Sequence, residues 1–170
     1  ILIAIAFLLD DYSINPANFG MNTPLAAFFK TVGGVAFDFM LPILAGYIAY
    51  SIADRPGLAV GIVGGYIAKV GNSFANISGE NAVSGGSLAA LLAGFVAGYL
   101  VLGIKKLADK LPESMEGIKP VLIYPLFGVL LIGVFMFAVN PTMAAINTGI
   151  TGFLNSMGGS SKILLGCIVA

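Results

Sequence analysis

Histidine is absent from the 170 residues, and cysteine occurs once, as Cys167. The first absence removes the side chain that most often serves as a general base near neutral pH. The second excludes an intrachain disulfide and a cysteine-rich metal site. Cys167 lies in an apolar run and reads as an inert packing residue. Charge is also scarce. Charged residues make up 9% of the chain, against about 25% in an average soluble domain, which excludes a water-soluble globular fold. Eight basic and eight acidic residues cancel, so nothing points to nucleic acid. No catalytic residue, cofactor or metal ligand is assigned.

What the chain has instead is apolar sequence: 58% hydrophobic residues and a mean hydropathy of +1.00. It comes in blocks near the roughly 20 residues needed to cross a bilayer, with charges gathered between them. The clearest block is 31–53, which contains Asp38 and Pro42. A weaker one, 57–77, is interrupted by Lys69 and Asn72. Two more fall at 82–104 and 121–139, and the Gly/Asn-spotted stretch 142–157 reads as an interfacial or re-entrant helix. The terminal runs 1–9 and 163–170 are too short to cross alone. They predict spans cut at both ends, an internal piece of a longer protein. The opening run lacks the charged start and small-residue cleavage site of a signal peptide. The expected fold class is therefore all-α: a polytopic transmembrane helical protein in contact with the lipid bilayer.

Basic residues orient the spans, because cytoplasmic loops are enriched in Lys and Arg. The connection 105–120 holds Lys105, Lys106, Lys110 and Lys119, and the tight turn 54–56 holds Arg55. Alternation puts both on one side, which should be cytoplasmic. Small residues recur every fourth position at Gly57, Gly61 and Gly65, and at Ala90, Gly94 and Gly98. Such stripes predict close helix packing in lipid, with substrate lining as the lesser alternative.

Asp38 and Lys69 fall at similar depth in neighbouring spans, and intramembrane charges usually pair or face water. A pair across two helices is one expectation; separate watery crevices, or a snorkelling Lys69, are the others. Lys69, Asn72, Ser73, Asn76 and Glu80 recur at three- and four-residue spacing, so a helix there would carry one polar stripe. That stripe suits either a sugar-facing wall or a solvated helix end. Asn72, Asn76, Asp38 and Lys69 are the candidate substrate-binding residues. Gly158 to Lys162 lacks P-loop spacing and reads as a flexible loop before a helix.

The run LPILAGYIAYSIADRPG (41–57) resembles the membrane component, enzyme IIC, of fructose-type bacterial sugar phosphotransferase systems. LAGFVAGYLVLGIKKL (92–107) and YPLFGVLLIGVFMF (124–137) resemble the same family in the same order. The resemblance implies a multi-pass permease of the bacterial inner membrane that carries fructose or a related sugar inward. Phosphorylation would be coupled to transport through the phosphocysteine of a separate IIB domain. It also implies a homodimer. Residues 1–140 map onto the N-terminal scaffold and dimerisation helices, and 141–170 lead toward a sugar-binding part beyond Ala170. The family's Gly-Gly-Pro-Ile-Asn-like and Gly-Ile-Thr-Glu-like hairpins do not occur here, so no binding residue carries over. The turn 53–57 would either dock IIB or simply fix the chain's depth. An ion-coupled secondary transporter is the alternative, since broken helices and rare charges occur there too. A non-transporting assembly subunit is a third class.

Overall fold

A computed structural model describes residues 1–11, 13, 15–80, 82–108, 117 and 122–158. Lys110, Lys119, residues 159–162, Cys167 and the closing run 163–170 lie outside the described residues. The regular elements are helices: α1 (Leu2–Leu9), a 3-10 turn (Pro16–Asn18), α2 (Pro24–Asp38), α3 (Met40–Val70), α4 (Gly86–Ala108) and α5 (Tyr124–Gly158). Three stretches are long and apolar enough to cross a membrane: Pro24–Val70, Gly86–Ala108 and Tyr124–Ser156. The chain is thus an all-α, polytopic transmembrane helical protein. It divides into two units, 1–40 and 41–170.

In the first unit α1 packs on α2. The contact is close because Gly33 has no side chain; a Cβ there would lie 2.7 Å from Ile3 Cγ1. The loop between the helices is organised by Asp10. Its carboxylate accepts the backbone N–H groups of Gly20, Asn22 and Thr23 at 2.5, 3.2 and 3.0 Å. Thr23 then caps α2 by accepting from Ala26 N, with Pro24 in the first turn. Both features are standard helix starts, since the first N–H groups of a helix have no partner inside it. Lys30 donates to Phe19 O at 2.8 Å, and Phe19 stacks on Phe7.

The block expected at 31–53 is not one helix. α2 ends at Asp38 and α3 begins at Met40. Pro42 explains the break. Its ring collides with the carbonyl of the residue four back, and its missing N–H cannot bond there; that residue is Asp38. In the first turn of a new helix the same proline loses nothing.

α3 is a hairpin of two helical arms, 40–53 and 55–70, joined at Asp54, the one residue with non-helical angles (φ 58°, ψ −152°). The sequence expects a tight turn at 54–56, with Arg55 biased to an extended form before Pro56. The non-helical residue is Asp54, inside that turn, and not Arg55. Arg55 and Pro56 then open the second arm, where proline's missing donor is harmless. The arms run antiparallel and nearly touch. A Cβ on Gly57 would strike Ala49 O, one on Gly61 would lie 2.6 Å from Ala45 O, and one on Gly65 would lie 2.7 Å from Ala45 Cβ. On α4, Gly94 faces Ala45 and Ile48, and Gly98 faces Ile52. The small-residue stripes are therefore packing surfaces.

α5 closes the bundle beside the second arm, with Gly128 against Val60 and Ile132 against Gly64. The expected break after residue 139 does not occur; α5 continues through Pro141 to Gly158. Its polar residues are satisfied locally. Thr148 and Thr151 hydroxyls donate to the carbonyls of Ala144 and Asn147, one turn back. At 35 residues, α5 is about 52 Å long, longer than the roughly 30 Å hydrocarbon core.

The interior of the second unit is built from small residues: Ala49, Ala53, Ala68, Ala89, Ala93 and Ala97 around Val60, Val101, Ile132 and Met136. Large side chains such as Tyr47, Phe95, Tyr99 and Leu130 point outward. In water that sorting would be unfavourable. In lipid, apolar bulk gains nothing by burial, and close backbone packing is what holds helices together. Lys105, in the last turn of α4, donates to Ala53 O at 2.8 Å and lies 3.4 Å from the Asp54 carboxylate. The turn 54–56 and the start of the 105–120 connection therefore share one end of the bundle, as the charge pattern requires.

Candidate functional site

The candidate polar residues gather at the opposite end, but not as a helical stripe. α3 stops at Val70. Gly71 takes φ +82°, and its N–H closes back on Ile67 O at 2.9 Å. A glycine in this left-handed conformation is a common helix terminator. A Cβ there would also strike Val83 O. Beyond it the chain forms a knot of turns. Ser73 and Asn76 exchange both backbone hydrogen bonds at 3.1 Å. Asn72 Nδ2 donates to Ile77 O at 2.7 Å, and Asn76 Nδ2 donates to Glu80 O at 2.6 Å. Asn76 Oδ1 accepts from Gly79 N at 3.1 Å. The spacing that suggested a helix face instead reflects side chains bonding to backbone three to five residues on, the habit that makes asparagine a turn former.

Lys69 is half-buried, with Nζ 5.9 Å from the centre of the Tyr66 ring. Asp38, the last residue of α2, is exposed and belongs to the first unit, whereas Lys69 belongs to the second. The structure thus brings Lys69, Asn72 and Asn76 to one end of the second unit.

Two residues outside the candidate set fasten this end. Asn140 of α5 is 1% exposed. Its Nδ2 donates to Ile67 O at 3.0 Å and to Asn72 O at 2.7 Å. It therefore adds a second donor to Ile67 O beside the Gly71 N–H, and supplies one to Asn72 O just past the end of α3. Its Oδ1 is buried without a hydrogen bond among the described residues. One turn pair further along α5, Asn147 Nδ2 donates to Ser84 O at 3.2 Å. Gly85 N donates to Ala68 O at 3.1 Å, tying the start of α4 to the end of α3. The sequence signal was available: asparagines a heptad apart in an apolar helix must find partners in lipid. The arrangement is a set of amides that fastens the end of α3 and the start of α4 to the middle of α5.

A membrane-embedded bundle with a glycine-packed hairpin and amide-locked ends is the framework of a polytopic membrane protein. Residues 1–170 match the family model described as "Phosphotransferase system, EIIC". The chain belongs to that family. It is 42% identical over 170 residues to the "PTS system fructose-specific EIIABC component" of Bacillus subtilis, covering 99% of this chain and 25% of the relative. It is 41% identical over 159 residues to the "Fructose permease IIC component" of Bacillus amyloliquefaciens, covering 93% of this chain and 48% of that one. A "PTS system fructose-specific EIIC component" of Haloferax volcanii is 36% identical over 177 residues, with 99% and 47% covered. The chain therefore spans between a quarter and half of these relatives' length. No solved structure matches.

Proposed function

We propose that this chain is the N-terminal scaffold of a fructose-type phosphotransferase permease. In this reading the whole protein carries fructose or a related sugar inward across a bacterial inner membrane, and a IIB phosphocysteine phosphorylates it on the cytoplasmic side. The family match over residues 1–170 carries the reading, supported by relatives whose names specify fructose. The packing supports the mechanical role. Helices held by glycine-to-backbone contact have little room to shift, which suits a fixed wall past which a mobile sugar-holding part moves. Residues 1–140 form that wall and the homodimer contact, and 141–170 lead toward the sugar-holding part. The end bearing Arg55 and Lys105 is cytoplasmic.

Asn72, Asn76, Asp38 and Lys69 are proposed contacts for the passing sugar, with Asp38 and Lys69 as a charge pair. Exchanging the two charges should restore uptake lost in either single neutralisation. A double exchange no better than the singles removes the pair. The reading as a whole is tested by sugar uptake in cells carrying the full-length gene. Uptake should survive a collapsed ion gradient and stop when the phosphocarrier is deleted. The reverse pattern would establish an ion-coupled transporter instead.

A further inference from the structure

We propose that the second unit carries a site for one anionic phospholipid at the end of the bundle where the α3 hairpin turns. A recess of about 550 Å³ is lined there by Tyr50, Asp54, Arg55, Pro56, Ala59 and Pro125. Arg55 is exposed and has no ion pair among the described residues. The carboxylate beside it, Asp54, lies 3.4 Å from the Lys105 ammonium, whose charge offsets it. Arg55 and Lys105 against Asp54 leave this end positive, and Lys106 is one residue further along α4. A guanidinium suits a phosphate, because it offers paired donors in a fixed plane.

The second observation is the shape of what adjoins the recess. Pro125 also lines an apolar groove of about 450 Å³ formed by Leu122, Leu126, Val129 and Leu130. These residues follow the three- and four-residue spacing of one helix face. The groove runs about 12 Å along the helix axis from Leu122 to Leu130. A recess with an arginine in its wall, sharing Pro125 with an apolar groove, matches a molecule with a charged head and a hydrocarbon tail. A free anion or a soluble phosphoprotein would use the recess and leave the groove empty. Tyr50, 42% exposed, adds the amphipathic ring that favours the headgroup level of a bilayer. Basic pockets between transmembrane helices are an established way of holding such heads.

Backbone strain fixes the geometry. Asp54 sits at φ 58°, ψ −152°, a region used almost only by glycine. That angle reverses the chain and sets Arg55 at the start of the second arm rather than in a flexible loop.

The test is native mass spectrometry of the detergent-purified protein, titrated with phosphatidylglycerol or phosphatidylcholine of matched chains. One phosphatidylglycerol should bind roughly fivefold more tightly, the order expected for one basic side chain near an anionic surface. Arg55→Gln should reduce that preference to near unity, Arg55→Lys should keep most of it, and Val129→Trp should weaken both lipids by filling the groove. Inorganic phosphate at millimolar concentration should not compete. Equal binding of the two lipids by the wild type overturns the proposal, as does a preference that survives Arg55→Gln. Displacement by inorganic phosphate makes the recess a simple anion site and also overturns it. If Arg55→Gln fails to fold, hydrogen exchange of wild-type residues 50–59 decides: protection by phosphatidylglycerol and not by phosphatidylcholine is expected, and equal protection overturns the site.

Discussion

Lys105 and Ala53 are 52 residues apart in sequence, yet the lysine ammonium donates to the alanine carbonyl at 2.8 Å. That carbonyl lies at the end of the first arm of the α3 hairpin, and the last carbonyls of a helix lack partners within it. The same ammonium touches Asp54, but that carboxylate is 84% exposed, so the ion pair itself is worth little.

The two contacts should separate on mutation. Lys105→Met should lower stability by about 1.5–3 kcal/mol, the range for a hydrogen bond involving a charged group. Asp54→Asn should change it by under about 1 kcal/mol. Asp54→Gly should be neutral or stabilising, because glycine relieves the positive φ. Thermal unfolding in detergent, followed by circular dichroism, reads all three. An Asp54→Asn variant as damaging as Lys105→Met would show that the ion pair, not the carbonyl, is the important contact.

Glycines should divide sharply by neighbourhood. Gly61→Ala places a Cβ 2.6 Å from Ala45 O and 2.7 Å from Ala49 Cβ, so the hairpin arms must part, at about 1–3 kcal/mol. Gly103→Ala meets nothing within 4 Å and should stabilise α4 by up to about 1 kcal/mol through helix propensity. Measured melting temperatures should move in opposite directions.

Asn140→Leu removes the side-chain donor from Asn72 O and one of two donors from Ile67 O, which keeps the Gly71 N–H, at a position only 1% exposed. The loss at Asn72 O should cost about 1–3 kcal/mol. The loss should be local before it is global: amides of 71–77 should exchange faster with deuterium while those of α4 stay protected. Uniform acceleration across α3, α4 and α5 would contradict a local lock.

The loop around Asp10 should weaken in acid. Burial raises the Asp10 pKa, but backbone N–H groups of Asn22, Gly20 and Thr23 outweigh it and hold the carboxyl below its ordinary 3.8. A carboxylate depressed in the folded state contributes stability that is present above its unfolded pKa and lost as pH falls through the folded value. Amide protection at Gly20, Asn22 and Thr23 should therefore fall below pH 3.8, and Asp10→Asn should flatten that dependence.

The site was only partly legible in advance. Asn72 and Asn76 stood out for their spacing, which fits a helix face and a side-chain-to-backbone turn equally well. Gly71 chose the turn. Asn140 and Asn147 were overlooked because each is one polar residue among apolar neighbours, and only their partners give them meaning. One break was legible and one was not. Pro56 announced the turn at 54–56 and sits in the first turn of the second arm, whereas the break before Pro42 fell inside a block expected to be one span.

Composition by itself determined that this chain lives in lipid as helices, and the four-residue stripes of glycine and alanine determined which faces touch. Both are local properties: the transfer of side chains out of water, and the absence of a Cβ at a given helical position. Only the tertiary structure decided that the hairpin turns at Asp54, that Lys105 caps Ala53, and that Asn140 serves the end of α3. A carbonyl freed at a helix end must find a donor, but which donor reaches it depends on how helices 52 to 73 residues apart are set side by side.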